Sequence, residues 1–433
     1  MEKILHLLCA AFGMAAWLAV NGCWIELPLL VSVMPESWNL ASHMSIIIQA
    51  ANIGPLVITV LDVYCRNRLK LKPLIYALLS IGLVSQFLMF FFWDKTVEIK
   101  GSDYSIPFFV LFFAASLVDC TSSVSFIPFM MNLQARFLQT YFLGEGLSGF
   151  VPSIIGIIQG VGKTTCNGTE PHYHEPNFGI GTFWIIMSSL MLLSLISFVV
   201  MNLKFQTYFV KYESSTISDS VASSELTGNR EEGPLDDKSS RCSFDQIAPV
   251  LPVQSSSDDM KSYYLLYFML FVSCFFSNGF LTAISTYISM PYGSQAYHLS
   301  AVLSTLANPI ACVIATFRPL KSERGIILSI FISLVLAGYQ LFLALGSPCP
   351  VLVDTTLGST LMIISTVSFM FFTTLAKVSF ADVLRNKATS RHLLWYGSIT
   401  QIGSFFGAIV CYPLVNTLQI FKPRYDCQPC FSP

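Results

Sequence analysis

Long apolar runs, broken by short charged or turn-rich segments, divide the chain into eleven stretches at roughly 4–33, 43–63, 72–93, 105–132, 138–161, 180–202, 262–289, 295–317, 325–345, 357–384 and 391–420. Each is about 20 residues or longer, enough for an α-helix to cross a hydrocarbon layer about 30 Å thick. Backbone amides in hydrocarbon must be paired within their own segment, and these runs are too long and continuous for barrel strands. The pattern therefore predicts an all-α polytopic membrane protein with eleven transmembrane helices. The first run, after Met1-Glu2-Lys3, is about twice the length of a signal-peptide core and reads as a retained span.

Lysine and arginine set the expected orientation. Alternate loops hold Arg66, Arg68, Lys70 and Lys72, then Arg136, then Arg318, Lys321 and Arg324, then Arg385, Lys387 and Arg391. The intervening loops hold only Lys95, Lys100 and Lys163, with Lys422 and Arg424 in the tail. Positive loops stay inside, so the N-terminus is expected in the cytoplasm and the C-terminus outside. The sequon Asn167-Gly168-Thr169 then falls outside, where it would be glycosylated. The organisation expected is a six-helix half over 1–202, a Ser-, Asp- and Glu-rich disordered cytoplasmic linker over 203–260, a five-helix half over 261–421 and an extracellular tail over 422–433.

The two halves echo each other. Asn21-Gly22 in the first span returns as Asn278-Gly279 in the seventh, and Ala51-Asn52 in the second as Ala307-Asn308 in the eighth. Gly82 and Gly338 repeat the offset in spans three and nine. Three matches at almost one register argue for an internal duplication. Both copies start inside, which makes the repeats parallel, as in major-facilitator carriers, here arranged 6+5 around a central cavity.

In that arrangement spans 1, 4, 7 and 10 line the cavity. Counting about 1.5 Å per residue puts Asn21, Asp119 and Asn278 near mid-membrane. Polar groups at that depth are costly in lipid and mark a substrate path. The candidate substrate-binding set is Asn21, Trp24, Gln49, Asn52, Asp119, Thr121, Ser122, Phe126, Asn278 and Asn308, with Trp24 or Phe126 as the stacking surface. The carboxyls able to change protonation during a cycle are Glu26 first, then Asp119 and Glu145. Pro28 is expected to break or bend the outer end of the first span. Lys377 has Asp382 or a cavity carboxylate as its expected partner. The "GEGLSG" glycines at 144–149 and the pairs Gly156/Gly160 and Gly403/Gly407 are expected to serve close helix packing rather than a nucleotide.

Composition narrows the function. Only 11% of residues are charged and the net charge is −1, so nothing favours a nucleic-acid partner. Of the cysteines, Cys166, Cys349, Cys427 and Cys430 lie on the predicted outside, an oxidising compartment. A disulfide from Cys427 in the tail to Cys349 is expected, with Cys166 as the alternative partner. "CQPC" has no second CxxC to complete a metal site, and His172 and His174 read as loop residues, so no metal is expected. No Ser-His-Asp set, HExxH, Walker A loop or haem-ligand pattern is present, so neither an enzyme nor a cofactor is expected. A secondary carrier of a small hydrogen-bonding, aromatic solute remains.

The runs "FGMAAWLAVNGCWIELPLLV", "QAANIGPLV", "LVDCTSSVSFIPFM", "GEGLSG", "AYHLSAVLSTLANP" and "SPCPVL" together resemble the riboflavin (vitamin B2) transporters of the animal solute-carrier superfamily. The resemblance spans essentially all the membrane segments and leaves out the linker. It implies eleven helices, uptake of riboflavin at the plasma membrane without sodium, and stimulation by external acid in some members. A flat isoalloxazine with a ribityl chain suits a cavity of amides, hydroxyls and aromatic faces. The alternative is a facilitative carrier of another small aromatic or nucleoside-like solute.

Overall fold

A computed structural model describes residues 2–64, 70–130, 132–133, 135–160, 164–167, 170–173, 175–205, 208, 257–318, 320, 322–387, 390–424 and 430. Most of the expected linker falls at 209–256, outside the described residues. Among the described residues ten helical segments are long and apolar enough to cross a membrane, and a bent pair supplies the eleventh crossing. The N-terminal half comprises α1 (Glu2–Met14), α2 (Leu18–Val33), α3 (Leu40–Ala51), α4 (Ile53–Tyr64), α5 (Leu71–Phe92), α6 (Ile106–Met130), α7 (Ala135–Gln159) and α8 (Ile180–Lys204). The C-terminal half comprises α9 (Ser257–Cys274), a π-helical turn (Phe275–Phe280), α10 (Leu281–Ala283), α11 (Ser285–Ser289), α12 (Ser294–Phe317), α13 (Glu323–Leu345), α14 (Thr356–Lys387) and α15 (Ser390–Asn416). Two antiparallel hairpins, β1 (Val97–Ile99) with β2 (Ser102–Tyr104) and β3 (Thr164–Asn167) with β4 (Glu170–Tyr173), sit at one end of the bundle.

The bend in the first crossing is not at Pro28, which lies inside α2 without ending it. It falls at 15–17, where α1 and α2 diverge by 55°. There the amides of Ala15 and Ala16 turn back to the carbonyls of Phe12 and Gly13, at 3.2 and 3.0 Å, and the helix closes. A proline removes only its own donor. A chain break exposes several, and it settles where a neighbouring helix can satisfy them.

Helix pairing repeats between the halves. The first crossing packs on α7 as the seventh packs on α15; α3 and α4 pack on α6 as α12 packs on α14; α5 packs on α6 as α13 packs on α14. Glycines allow the first pairing in both copies. A Cβ on Gly13 would strike the Tyr141 carbonyl, and one on Gly407 would strike that of Phe275. Gly160 is different from the packing glycine expected: at φ +64° with nothing beside it, it ends α7 in the left-handed region. The sixth span, α8, has no counterpart among the described residues. It closes the N-terminal core with Trp184, Met187, Met191, Phe198 and Met201, all fully buried, whereas the C-terminal half divides into smaller apolar clusters.

The halves meet along α7 and α2 against α12, and along α3 against α15. At the hairpin end they are latched. Tyr287 donates to Asn39 Oδ1 at 2.6 Å, Asn416 Nδ2 donates to Ser42 at 2.8 Å, and His43 meets the Tyr412 ring edge-on at 5.5 Å. The C-terminal tail folds over the same end. Arg424 donates to the Pro291 carbonyl and to Asp354, both at 2.6 Å, and Phe421 is buried against Tyr287. The disulfide corrects the expected pairing: Cys349 is joined to Cys430, while Cys427 lies outside the described residues. Cys430 stands beside Pro348, in the tight loop that carries Cys349, and is within reach of it.

Candidate functional site

The break between α1 and α2 organises the middle of the N-terminal half. It leaves the first amides of α2 without helical partners in the membrane interior. Asp119 of α6 supplies the acceptor: Oδ2 takes the Val20 amide at 2.8 Å, and the Ala19 amide also bonds to this carboxyl. Ser122, one turn on, donates to the Ala16 carbonyl at 3.2 Å and the Asp119 carbonyl at 2.7 Å. Asp119 and Ser122 are thus buried cap residues, at 0% and 1% exposure, and neither reaches the cavity wall. Thr121 is buried against Gly54, and Phe126 is locked in the core with its ring 4.7 Å from Phe12. Phe126 is therefore not a stacking surface.

Asn21 begins the first full turn of α2 beyond the cap and remains partly exposed. Its Nδ2 donates to Ser148 at 3.3 Å and passes over Gly149. Ser148 donates to the Glu145 carbonyl at 2.6 Å, and the half-buried Glu145 side chain accepts from the indole of Trp17. On the adjoining helix, Asn52 donates to Gln49 Oε1 at 3.2 Å; Gln49 is buried, Asn52 is not. Trp24 is half-buried on the margin of the N-terminal core.

Across the seam the π-helical turn projects Ser277 and Asn278. A π turn carries an extra residue and so re-aims side chains that an α-helix would turn elsewhere. Asn278 is exposed although it lies within a span, which a primary amide does only in contact with water. Lys377 of α14 donates to Ser277 at 2.8 Å and Asn278 Oδ1 at 3.2 Å, and not to Asp382 or to a cavity carboxylate. Asn308 Oδ1 accepts from Thr374 at 2.9 Å. Beside that pair an apolar cleft of about 310 Å³ between α12 and α14 is lined by Leu306, Ile310, Phe371 and Phe372, which offers aromatic surface the sequence reading missed.

A third cluster sits nearer the hairpin end. Glu26, at 0% exposure, accepts from Gln159 Nε2 at 2.9 Å, and its Oε2 has no hydrogen-bond partner. His298 enters from α12 close to Gly156, one turn from Gln159, with neither ring nitrogen bonded. Asn21, Asn52, Asn278 and Asn308 thus remain accessible around the seam. Asp119, Thr121, Ser122, Phe126 and Gln49 do not, and Lys377, Trp17 and His298 join the site. A lysine within a span was the available signal for Lys377. Trp17 gave none, because the helix break that exposes it has no proline or glycine at the joint. The side chain of Asn167 lies outside the described atoms, so its sequon adds nothing to this geometry.

Comparison with known proteins agrees with this architecture. Residues 1–423 match the family model described as "Solute carrier family 52, riboflavin transporter". The chain is 39% identical over 448 residues to solute carrier family 52, riboflavin transporter, member 3-A of Danio rerio, covering 99% of each sequence. It is 32% identical over 473 residues to member 3 of Homo sapiens, again over 99% of each. Among solved structures it resembles a proton-dependent oligopeptide family transporter at a TM-score of 0.56 and 12% identity, over 95% of this chain and 92% of that one. The last likeness is one of fold: a major-facilitator-like bundle.

Proposed function

Since the chain belongs to the solute carrier family 52 riboflavin transporters, we propose that it carries riboflavin into the cell across the plasma membrane by alternating access. The observation that carries this reading is the pair of amides, Asn21 from one half and Asn278 from the other, both accessible in mid-span on either side of one seam. With the hairpin end latched, such a site opens toward the opposite end. Rocking about the α7–α12 and α3–α15 contacts would reverse the access. The loop lysines and arginines, the sequon at Asn167 and the Cys349–Cys430 disulfide support a hairpin end that faces outside, with the N-terminus cytoplasmic and the C-terminus extracellular.

Glu26 is the coupling group in this reading. Closing the hairpin end buries it beside Gln159 and Cys23, with one oxygen unpaired. Burying an ionised carboxylate so poorly partnered is costly, so closure is easier once Glu26 has taken a proton from outside. External acid then favours loading and inward release. Uptake of labelled riboflavin by cells displaying the chain, with competition by unlabelled riboflavin and by nucleosides, tests the assignment. Uptake displaced by nucleosides but not by riboflavin would replace it with the facilitative nucleoside-like reading.

A further inference from the structure

The cluster Lys377–Ser277–Asn278 has a property that no pairwise description conveys: Ser277 is buried, and the acceptor oxygen of the exposed Asn278 is consumed internally. Asn278 Oδ1 takes hydrogen bonds from Ser277 Oγ at 2.9 Å and from Lys377 Nζ at 3.2 Å. Ser277 Oγ accepts from Lys377 at 2.8 Å and spends its own proton on Asn278. An ammonium has three donors, of which two are used here, and an amide nitrogen has two, for which no described residue provides an acceptor. What the cluster offers the exposed space around Asn278 is therefore donors only, with a positive charge behind them. Among the described residues no carboxylate pairs with Lys377. A cation inside a membrane bundle without a counter-charge is expensive unless a ligand or water satisfies it.

We infer that Lys377 and Asn278 form the specificity subsite for an acceptor pair on the substrate's heteroaromatic ring, which for riboflavin is the C2 carbonyl with N1 or the C4 carbonyl with N5. This rests on the riboflavin reading above and deepens it. Two convergent donors, one of them charged, match two adjacent acceptors with no donor between them. The ribityl hydroxyls, each both donor and acceptor, would leave the cluster's donor-only character unused. The subsite also assigns a direction to the ring, with its pyrimidine end toward the C-terminal half. The π turn is the backbone device that makes the cluster, because it lets two consecutive residues, Ser277 and Asn278, both meet Lys377.

The test compares riboflavin with 2-thioriboflavin and 4-thioriboflavin, whose sulfurs are poor acceptors, as competitors of labelled riboflavin uptake at measured surface expression. In the unaltered protein the thio compound altered at the bound edge should compete about 10-fold or more weakly, the size of a lost hydrogen bond to a charged donor. In Lys377→Met the half-saturation for riboflavin should rise by a similar factor, and the preference over the thio compound should collapse. Lys377→Arg, which keeps charge and donors, should retain the preference. Flavin fluorescence quenching on the detergent-purified carrier gives the same ratio where a variant reaches the surface poorly. A Lys377→Met carrier that still discriminates as the unaltered one does overturns the subsite and leaves the riboflavin reading standing. Absence of riboflavin uptake by the unaltered protein removes both.

Discussion

The carboxylate of Asp119 and the amide of Val20 meet at 2.8 Å in the middle of the N-terminal half, where a membrane helix has been cut in two. The relationship is that of a helix N-cap, supplied by a different helix. An acceptor at the amino end of α2 is stabilising because it satisfies an amide that the cut leaves open. The carboxyl that looks most like a ligand-binding group is thereby tied to the architecture.

Asp119→Ala is expected to destabilise the carrier by about 1–3 kcal/mol, the range for a lost cap and a buried unpaired donor. The thermal unfolding midpoint of purified protein should fall, while half-saturation for riboflavin among molecules that reach the surface changes less than about 2-fold. A normal midpoint with a large rise in half-saturation would make Asp119 a substrate ligand after all.

Asn21→Ala should behave in the opposite way. Its amide is partly exposed and bonds weakly to Ser148 at 3.3 Å, so little stability depends on it. Loss of a neutral hydrogen bond to substrate costs about 0.5–1.5 kcal/mol, a 2- to 12-fold weaker half-saturation. Uptake kinetics normalised to surface protein decide, and unchanged kinetics remove Asn21 from the site.

For Glu26 the expectation concerns pH. Uptake should rise as external pH falls, because closure of the hairpin end takes up a proton. Glu26→Gln, neutral at every pH, should transport with a flat profile at a level set by the acid-favoured state. Initial rates from pH 5 to 8 at constant surface expression provide the measurement. An acid-stimulated mutant would move the coupling to another group, with His298 and Glu145 next in line.

Non-reducing peptide mapping should recover Cys349 linked to Cys430. Cys430→Ser should lower stability by about 2–4 kcal/mol, since the bond closes a loop of 81 residues. Cys427→Ser should leave the Cys349 linkage intact, and recovery of Cys349 bound to Cys427 in the natural protein would contradict the pairing.

The eleven crossings were legible because length and apolarity suffice to define a membrane span, and the duplication was legible because Asn-Gly and Ala-Asn recur at one offset. The roles of individual polar residues were not. Asp119 and Asn278 look alike in sequence, each a costly group in mid-span. One is sealed by a neighbouring helix end and the other is turned outward by a π turn. Neither the cut after Met14 nor the π turn has a distinctive local signature: the first lacks Gly or Pro at the joint, and the Asn-Gly pair of the second also occurs as Asn21-Gly22 within the regular helix α2. Cys430 rather than Cys427 was undecidable for a simpler reason, as two cysteines three positions apart differ only in where the tail settles.

The cut first crossing also has a mechanical consequence. α1 is seated on α7 and α8 of its own half, whereas α2 lies both against α6, α7 and α8 of its own half and against α12 of the other. A continuous rod would have to tilt as a whole whenever the two bodies rotate, dragging its buried end through a closely packed core. Two rods with a joint between them let α2 pivot while α1 stays seated. The fulcrum is then the Asp119–Val20 contact, and whatever stiffens that joint should slow the carrier's turnover without changing what it binds.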